Sequence, residues 1–296
     1  MDMVVCRAAE GSLMPSRHPL AGVARWVNER DLYLAVDLVG VRDAEPSGPE
    51  WTRLDRLPER VPELIATLME HSCQGHRISA AAFLAGDVGR QVLAFAASAA
   101  YLTGTAPDLS AHLLWVRHGA RGRLEGLALR QGTTAVLAED PAAHRPGAVR
   151  VEDEAELDLW LVRRAVDTLA PVIDAVRAHT RFGARPQWSM VADALHAALL
   201  AAAEEAGSDQ TAAWDRARRM VECINHDRPR VAPRQRPFPL TLAGRPDDRP
   251  ERVFMVRGGC CFYYRYGPAK CSTCPLSTDT ERERVLRDYY EAVPTH

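Results

Sequence analysis

The chain has 296 residues, a formal net charge of -2 and 47% hydrophobic residues. That is enough apolar material for one large core or two ordinary ones. The near-neutral balance excludes a broadly basic nucleic-acid or membrane-surface binder, and the hydrophobic content excludes a disordered chain.

The N-terminal stretch MDMVVCRAAEGSLMPSRHPL lacks a basic segment followed by an apolar one, so no signal peptide is expected. Residues 1–58 read as irregular, with one strand in LYLAVDLVG. RVPELIATLMEHSC and SAAAFLAGDVGRQVLAFAASAAYLTG read as helices, because apolar residues recur three and four apart; the second should stop near Gly104. HLLWVRHGARGRLEGLALRQG and TTAVLAE read as short strands, with a hairpin turn between Gly119 and Gly122. An exposed loop, DPAAHRPGAV, should follow.

EDEAELDLWLVRRAVDTLAPVIDAVRAH predicts a helix whose acidic first turn suits the positive end of its dipole. Pro171 is expected to kink it or open a new helix. In QWSMVADALHAALLAAAEEAG, Trp188, Val191, Leu195, Leu199 and Ala202 form one stripe, and Gly207 is the expected stop. DQTAAWDRARRMVECI predicts a further helix capped by Asp209. Residues 228–250 hold six prolines and predict a linker or extended arm. A strand, RVFMV, leads into the cysteines, and TDTERERVLRDYYEAV closes the chain as a helix capped by Thr278 or Asp279. No apolar run reaches the roughly 18 residues of a spanning helix. The fold class expected is α+β, mainly helical, with a small β portion and a C-terminal cysteine-rich subdomain. The expected divisions are a mixed α/β region 1–150, a helical region 151–227, a Pro-rich linker 228–250 and the cysteine-bearing subdomain 251–296.

Four of the seven cysteines lie in GGCCFYYRYGPAKCSTC: Cys260, Cys261, Cys271 and Cys274. Cys6, Cys73 and Cys223 are scattered and read as small buried apolar residues. A cytoplasmic chain is expected, and there thiols stay reduced, so a cysteine cluster more often binds metal or does redox work. A redox-active C-x-x-C belongs in a βαβ pattern, which is lacking here. Zinc accepts four thiolates, but zinc ribbons usually pair two C-x-x-C knuckles. A [2Fe–2S] cluster needs four thiolates, and adjacent cysteines reach one cluster only if the backbone turns sharply. Gly258 and Gly259 supply freedom for that turn, while Gly267 and Pro268 turn the loop between the pairs. Arg257, Arg265 and Lys270 interleave with the thiols and would offset an anionic cluster, and Phe262, Tyr263, Tyr264 and Tyr266 would screen the sulfurs. The ten histidines show no metal-like i, i+4 pair, and the chain has no G-x-G-x-x-G after a strand.

At RGGCCFYYRY and CSTCPL the sequence resembles the ferric-siderophore reductases of the FhuF type. In that family a Cys-Cys pair, about ten residues and a C-x-x-C hold a [2Fe–2S] cluster. The resemblance implies that Cys260, Cys261, Cys271 and Cys274 are the four ligands. The spacer here, Phe262 to Lys270, has nine residues, one short of that pattern. LAPVIDAV and GARPQWSMVADAL are similar to the family's helical segments, and residues 1–150 to siderophore-handling regions. The implied activity is cytoplasmic one-electron reduction of a ferric siderophore, a hydroxamate in the first place, with release of Fe(II). The electrons would come from a ferredoxin, a flavodoxin or a reduced flavin. No nucleic acid, membrane span or catalytic residue beyond the cluster ligands is implied. Arg181, Arg185, Trp188 and Arg265 are the candidates for substrate contact, because cations and aromatics suit anionic oxygens on an apolar frame. The alternative is a non-enzymatic siderophore-binding protein, or one whose iron–sulfur or zinc site is structural.

Overall fold

The computed structural model describes residues 18, 20–30, 34–227, 229–232, 234–245, 249–267 and 270–291. Cys6 and Pro268 lie outside the described residues.

Two long helices carry the molecule. α3 (Arg77–Thr103) ends at Gly104, which adopts the left-handed conformation (φ 60°) that closes a helix without a Cβ penalty. α5 (Ala184–Ala206) ends the same way at Gly207 (φ 62°). Their contact surface is rich in Ala and Gly, so the backbones approach closely: a Cβ on Gly89 would sit 3.4 Å from the Cα of Val191. α1 (Ala21–Arg30), α2 (Leu57–His71), α4 (Glu154–His179) and α6 (Gln210–Ile224) pack around this pair. One hydrophobic core runs from Leu20 through α1–α6 to Val231. Arg216, buried on α6, is tied to α4 through Asp158 at 2.9 Å and Glu154 at 3.1 Å.

The strands form three small sheets. β1 (Ala35–Val39), β2 (Trp51–Arg53), β4 (Leu114–His118) and β5 (Leu124–Arg130) stand in the order β1-β5-β4-β2. β1 runs parallel to β5, and the other pairs are antiparallel. β3 (Thr105–Pro107), β6 (Thr134–Leu137) and β7 (Ala148–Val151) make the second sheet. The third is the antiparallel hairpin of β8 (Arg236–Thr241) and β9 (Glu251–Val256). β9 is buried on both sides, with alternate residues on opposite faces. Val253 and Met255 meet Leu200 of α5 and Trp214 of α6. Phe254 meets Leu240, Leu242 and Leu286 of α7 (Asp279–Tyr290). The fold is thus mainly helical α+β.

Most expected elements are present. The β4–β5 turn is closed by Gly122 N–H on the Gly119 carbonyl at 3.0 Å, and Asp209 caps α6. Thr278 caps α7 in a reciprocal box with Glu281. Three features differ. α4 runs unbroken past Pro171, because Val166, Leu169, Val172 and Ile173 bury its face on both sides of the ring. α1 and β7 were expected to be irregular chain; each is short and gains its order from packing. β8 lies within the Pro-rich 228–250, where two prolines fit because only β9 pairs with it. Among the described residues, α3 is the one helix long and apolar enough to cross a membrane, and 72% of its apolar window is buried inside the molecule.

His196, on α5, is 3% exposed, and its ring lies 4.0 Å from that of Trp214. Burial pushes its pKa down to about 4, and burial does the same to His118. As pH falls below the unfolded value of about 6.5, the unfolded chain takes up protons that the folded chain refuses. Stability is therefore whole near pH 7 and is lost from about pH 6.5 down to about pH 4, by up to about 1.4 kcal/mol per pH unit for each such histidine. Denaturant unfolding at pH 7 and pH 5 should show this loss. His196→Gln should flatten the slope, and an unchanged slope would contradict the assignment.

Candidate functional site

The cysteine loop starts where β9 ends, and α5 sets the starting point. The buried Asp193 carboxylate accepts the N–H of Gly258 at 2.8 Å and of Gly259 at 3.2 Å, plus the Gln235 side-chain amide at 2.8 Å. Burial raises this carboxyl above its ordinary value, against the pull of Gln235, the Gly258 N–H and Arg257. Both glycines sit in a bend, neither with a positive φ, and space is what they supply. A Cβ on Gly258 would meet Gln235 at 2.6 Å, and one on Gly259 would meet Met190 at 2.9 Å. The left-handed residue is Phe262 (φ 59°), directly after the Cys-Cys pair. The chain bends at Gly258 and Gly259, as the sequence reading expected, and the left-handed residue follows three positions after Gly259.

Aromatic packing holds the turn. Phe262 meets Phe182 edge-on at 6.2 Å, and Tyr266 meets Tyr263 edge-on at 5.2 Å. His76, at the start of α3, lies 6.4 Å from Phe262 and 6.2 Å from Tyr266. Phe262 and Tyr266 are half-buried, while Tyr263 and Tyr264 reach the surface.

The two thiol pairs are brought together by Arg257. Its backbone N–H donates to the Thr273 carbonyl at 3.0 Å, docking the C-x-x-C segment against the end of β9. Its guanidinium Nη2 donates to Cys261 Sγ at 3.4 Å and to Cys271 Sγ at 3.3 Å, one thiol from each pair. Burial opposes the charge on Arg257, but Cys271, Cys261 and Asp193 outweigh it and hold the guanidinium above its ordinary value. Cys261 is pushed down, first by a hydrogen bond from the Cys271 thiol, against burial and with help from Arg257. Cys271 moves up for the same shared proton. Phe262 N–H reaches Cys260 Sγ at 3.4 Å, while burial raises the Cys260 thiol. Cys274 N–H closes a turn on the Cys271 carbonyl at 2.9 Å, and the fully buried Arg282 of α7 holds the Cys274 carbonyl at 2.8 Å.

The residues suit an anionic metal–sulfur group in chemistry. Four thiols occupy two docked segments, and a buried arginine bridges them. Its Nε is also buried and has no hydrogen-bond partner among the described residues, a donor left over for a further anionic atom. Among the described residues no set of three or more Cys, His, Asp or Glu side chains stands ready to hold a metal ion; the thiols that meet are Cys261 and Cys271.

The loop closes one end of a groove of about 1110 Å³ between α3 and α5, with Cys261 and Cys271 in its lining. Ligand pockets usually span about 300–1,000 Å³, so this one takes a large ligand. Its walls combine the small residues Ala82, Gly86 and Ala198 with the larger Trp26, Phe83 and Met190. Arginines 30, 90, 123, 252 and 257 share it with Asp87, Asp193, Glu204 and Glu205. Several of these charges are paired across the walls. Arg123 grips Asp87 at 2.6 and 2.7 Å, Arg30 reaches Glu205 at 2.6 Å, and Glu204 is held by Arg245 at 2.6 Å.

The substrate-contact candidates lie elsewhere. Arg181 and Arg185 are exposed at the start of α5, and Arg265 is exposed on the outside of the loop. Trp188 is buried in the core under the guanidinium of Arg230, 5.7 Å from the ring centre. None of the four lines the groove. The groove arginines and Asp193 were missed. The available signal was the small residues three and four apart on both Ala-rich helices, which read equally well as core.

The FhuF family model, described as ferric iron reductase FhuF-like transporter, matches residues 90–246, more than half of the chain. The chain belongs to the FhuF-like ferric iron reductase family. The matched span holds the groove wall from Arg90 onward, α4, α5, α6 and β8, and ends before Cys260. Among curated proteins none matches the chain.

Removing the Asp193 side chain should unseat the cysteine loop. Asp193→Ala leaves two glycine N–H groups and the Gln235 amide without their acceptor, at about 1–3 kcal/mol for each buried group left unpaired. The unfolding temperature should fall, and one equal to that of the parent would contradict the anchoring role.

Proposed function

We propose that this chain is a cytoplasmic ferric-siderophore reductase in which Cys260, Cys261, Cys271 and Cys274 hold a [2Fe–2S] cluster. The family supports ferric iron reduction. The observation that carries the reading is that Cys261 and Cys271 line the large groove, so a ligand there would lie against the thiols. When bound, the cluster would supply one-electron chemistry.

The chain's own residues do the rest. The α3–α5 groove binds the ferric chelate beside the loop. Arg257 offsets the negative charge of the thiolates and keeps both segments together. Phe262 and Tyr266 keep water from the loop's inner side. Hydroxamate and catecholate oxygens bind Fe(III) far more tightly than Fe(II), so one electron releases the metal without breaking the chelator. The reaction needs neither a nucleophile nor a general acid. The internal pairing of groove charges favours a chelate of low net charge with an apolar exterior, which suits a ferric hydroxamate better than a highly anionic tris-catecholate. Reduced thiols are the normal state in the cytoplasm, which is why this reading places the protein there. The electrons come from an external donor, a ferredoxin, a flavodoxin or a reduced flavin.

Anaerobic purification followed by iron, sulfide and zinc analysis tests the reading. Iron and acid-labile sulfide in equal amounts, with an EPR signal after reduction, are expected. Reduced protein mixed with a ferric hydroxamate should yield trapped Fe(II), and Cys271→Ser should lose both the signal and that yield. A colourless protein with stoichiometric zinc would instead make the thiol loop structural and the chain a binding protein.

A further inference from the structure

We infer that the outer face of the cysteine loop is the docking surface for a small acidic protein that carries one electron. The inference rests on the groove being the chelate site.

The loop is a partition with two sides. Tyr263, Cys271 and Thr273 line the α3–α5 groove. Tyr264, Ser272 and Cys271 line a second hollow of about 390 Å³, together with Lys270, Arg284 and other residues of the loop and α7. Neighbouring residues thus turn to different sides, and Cys271 is reached from both. A chelate filling the groove covers the inner side. A donor that works while substrate is bound must approach from the outer one.

The outer side has the composition of a protein-binding surface. Tyr264 is 38% exposed and Leu276 is 51% exposed, among the few large apolar side chains that face solvent. Tyrosine and arginine are favoured at protein interfaces, where a flat ring covers area at little entropy cost. Arg265 lies over the Tyr264 ring, 5.6 Å from its centre, and has no acidic partner among the described residues.

The charges set the sign of the partner. Lys270 meets Glu281 at 3.4 Å, and Arg284 meets Asp288 at 3.0 Å. Asp279 is shared by Arg282 and Arg236. With Arg282 fully buried, the exposed Arg236, Arg265, Arg284 and Lys270 outnumber Asp279, Glu281 and Asp288 by one, the unpartnered Arg265. Glu283 and Glu291 belong to the other side of α7, where both pair with Arg287, itself bound to the Thr241 carbonyl of the hairpin. A basic rim around exposed Tyr264 and Leu276 fits an acidic protein, and such pairing mainly speeds encounter and fixes orientation. In the overall exchange the carrier is oxidised by one electron and one ferric ion is reduced by one. No bond to the carrier forms, and no proton moves.

Calorimetric titration of the metal-loaded protein with an oxidised acidic [2Fe–2S] ferredoxin reads docking without turnover. Binding is expected at about 0.02 M salt and should weaken roughly tenfold or more at about 0.5 M. The double variant Arg265→Glu with Arg284→Glu should weaken low-salt binding by a similar roughly tenfold factor, and Tyr264→Ser should weaken binding at both salts. No binding, or binding indifferent to the charge reversal, overturns the inference. Chelate reduction driven by photoreduced deazariboflavin, a small neutral donor, reads the groove alone and should be unchanged in the double variant. Its loss there also overturns the inference, since the substitutions would then act on the site itself. A parent protein that binds ferredoxin in the charge-dependent way but reduces no ferric chelate supports the surface and contradicts the reductase.

Discussion

The Asp193 carboxylate decides where the thiols go. It sits on α5, buried, and takes the two consecutive N–H groups that follow β9. Glycine at both positions lets the chain come close enough for those bonds to form. From that point the chain has little choice. Phe262 turns left-handed, and its ring drops against Phe182 and the start of α3. Arg257, one residue before the glycines, is left with its guanidinium between Cys261 and Cys271. One buried acceptor on a long, well-packed helix thereby fixes a loop that has little core of its own.

The same helix builds the groove. α5 presents Met190, Asp193, Ala197 and Ala201 along one face, and α3 answers with Ala82, Gly86, Arg90 and Ala94. Small residues keep the two helices close where they touch and leave a wide groove where they part. The groove and the loop are therefore products of one helix pair, with Cys261 and Cys271 in the lining of the groove.

The sequence made the frame legible because its cues were local. Gly104 and Gly207 closed their helices, Asp209 and Thr278 capped theirs, and the stripe from Trp188 to Ala202 is buried as its spacing requires. The four-cysteine spacing marked the loop whose two halves the structure joins through Arg257. What stayed hidden was non-local. Asp193 looks like any polar residue on an amphipathic helix, and its partners lie 65 and 66 residues away in the chain. Pro171 was read as a kink or the start of a new helix, and packing on both sides carries one helix past it. Trp188 drew attention as an aromatic beside cations, but its apolar bulk sends it into the core. Several groove-wall residues are alanines, and no spacing rule separates an alanine facing a cavity from one facing a neighbouring helix.

The central claim is that the groove and the thiols form one site. A redox-inert gallium(III) hydroxamate, added to the reduced protein, tests it through the EPR spectrum of the bound metal centre. The account predicts a changed spectrum that saturates with gallium chelate binding and disappears when Ala198→Trp fills the groove. Gallium chelate binding with an unchanged spectrum would place the ligand away from the thiols and contradict the account.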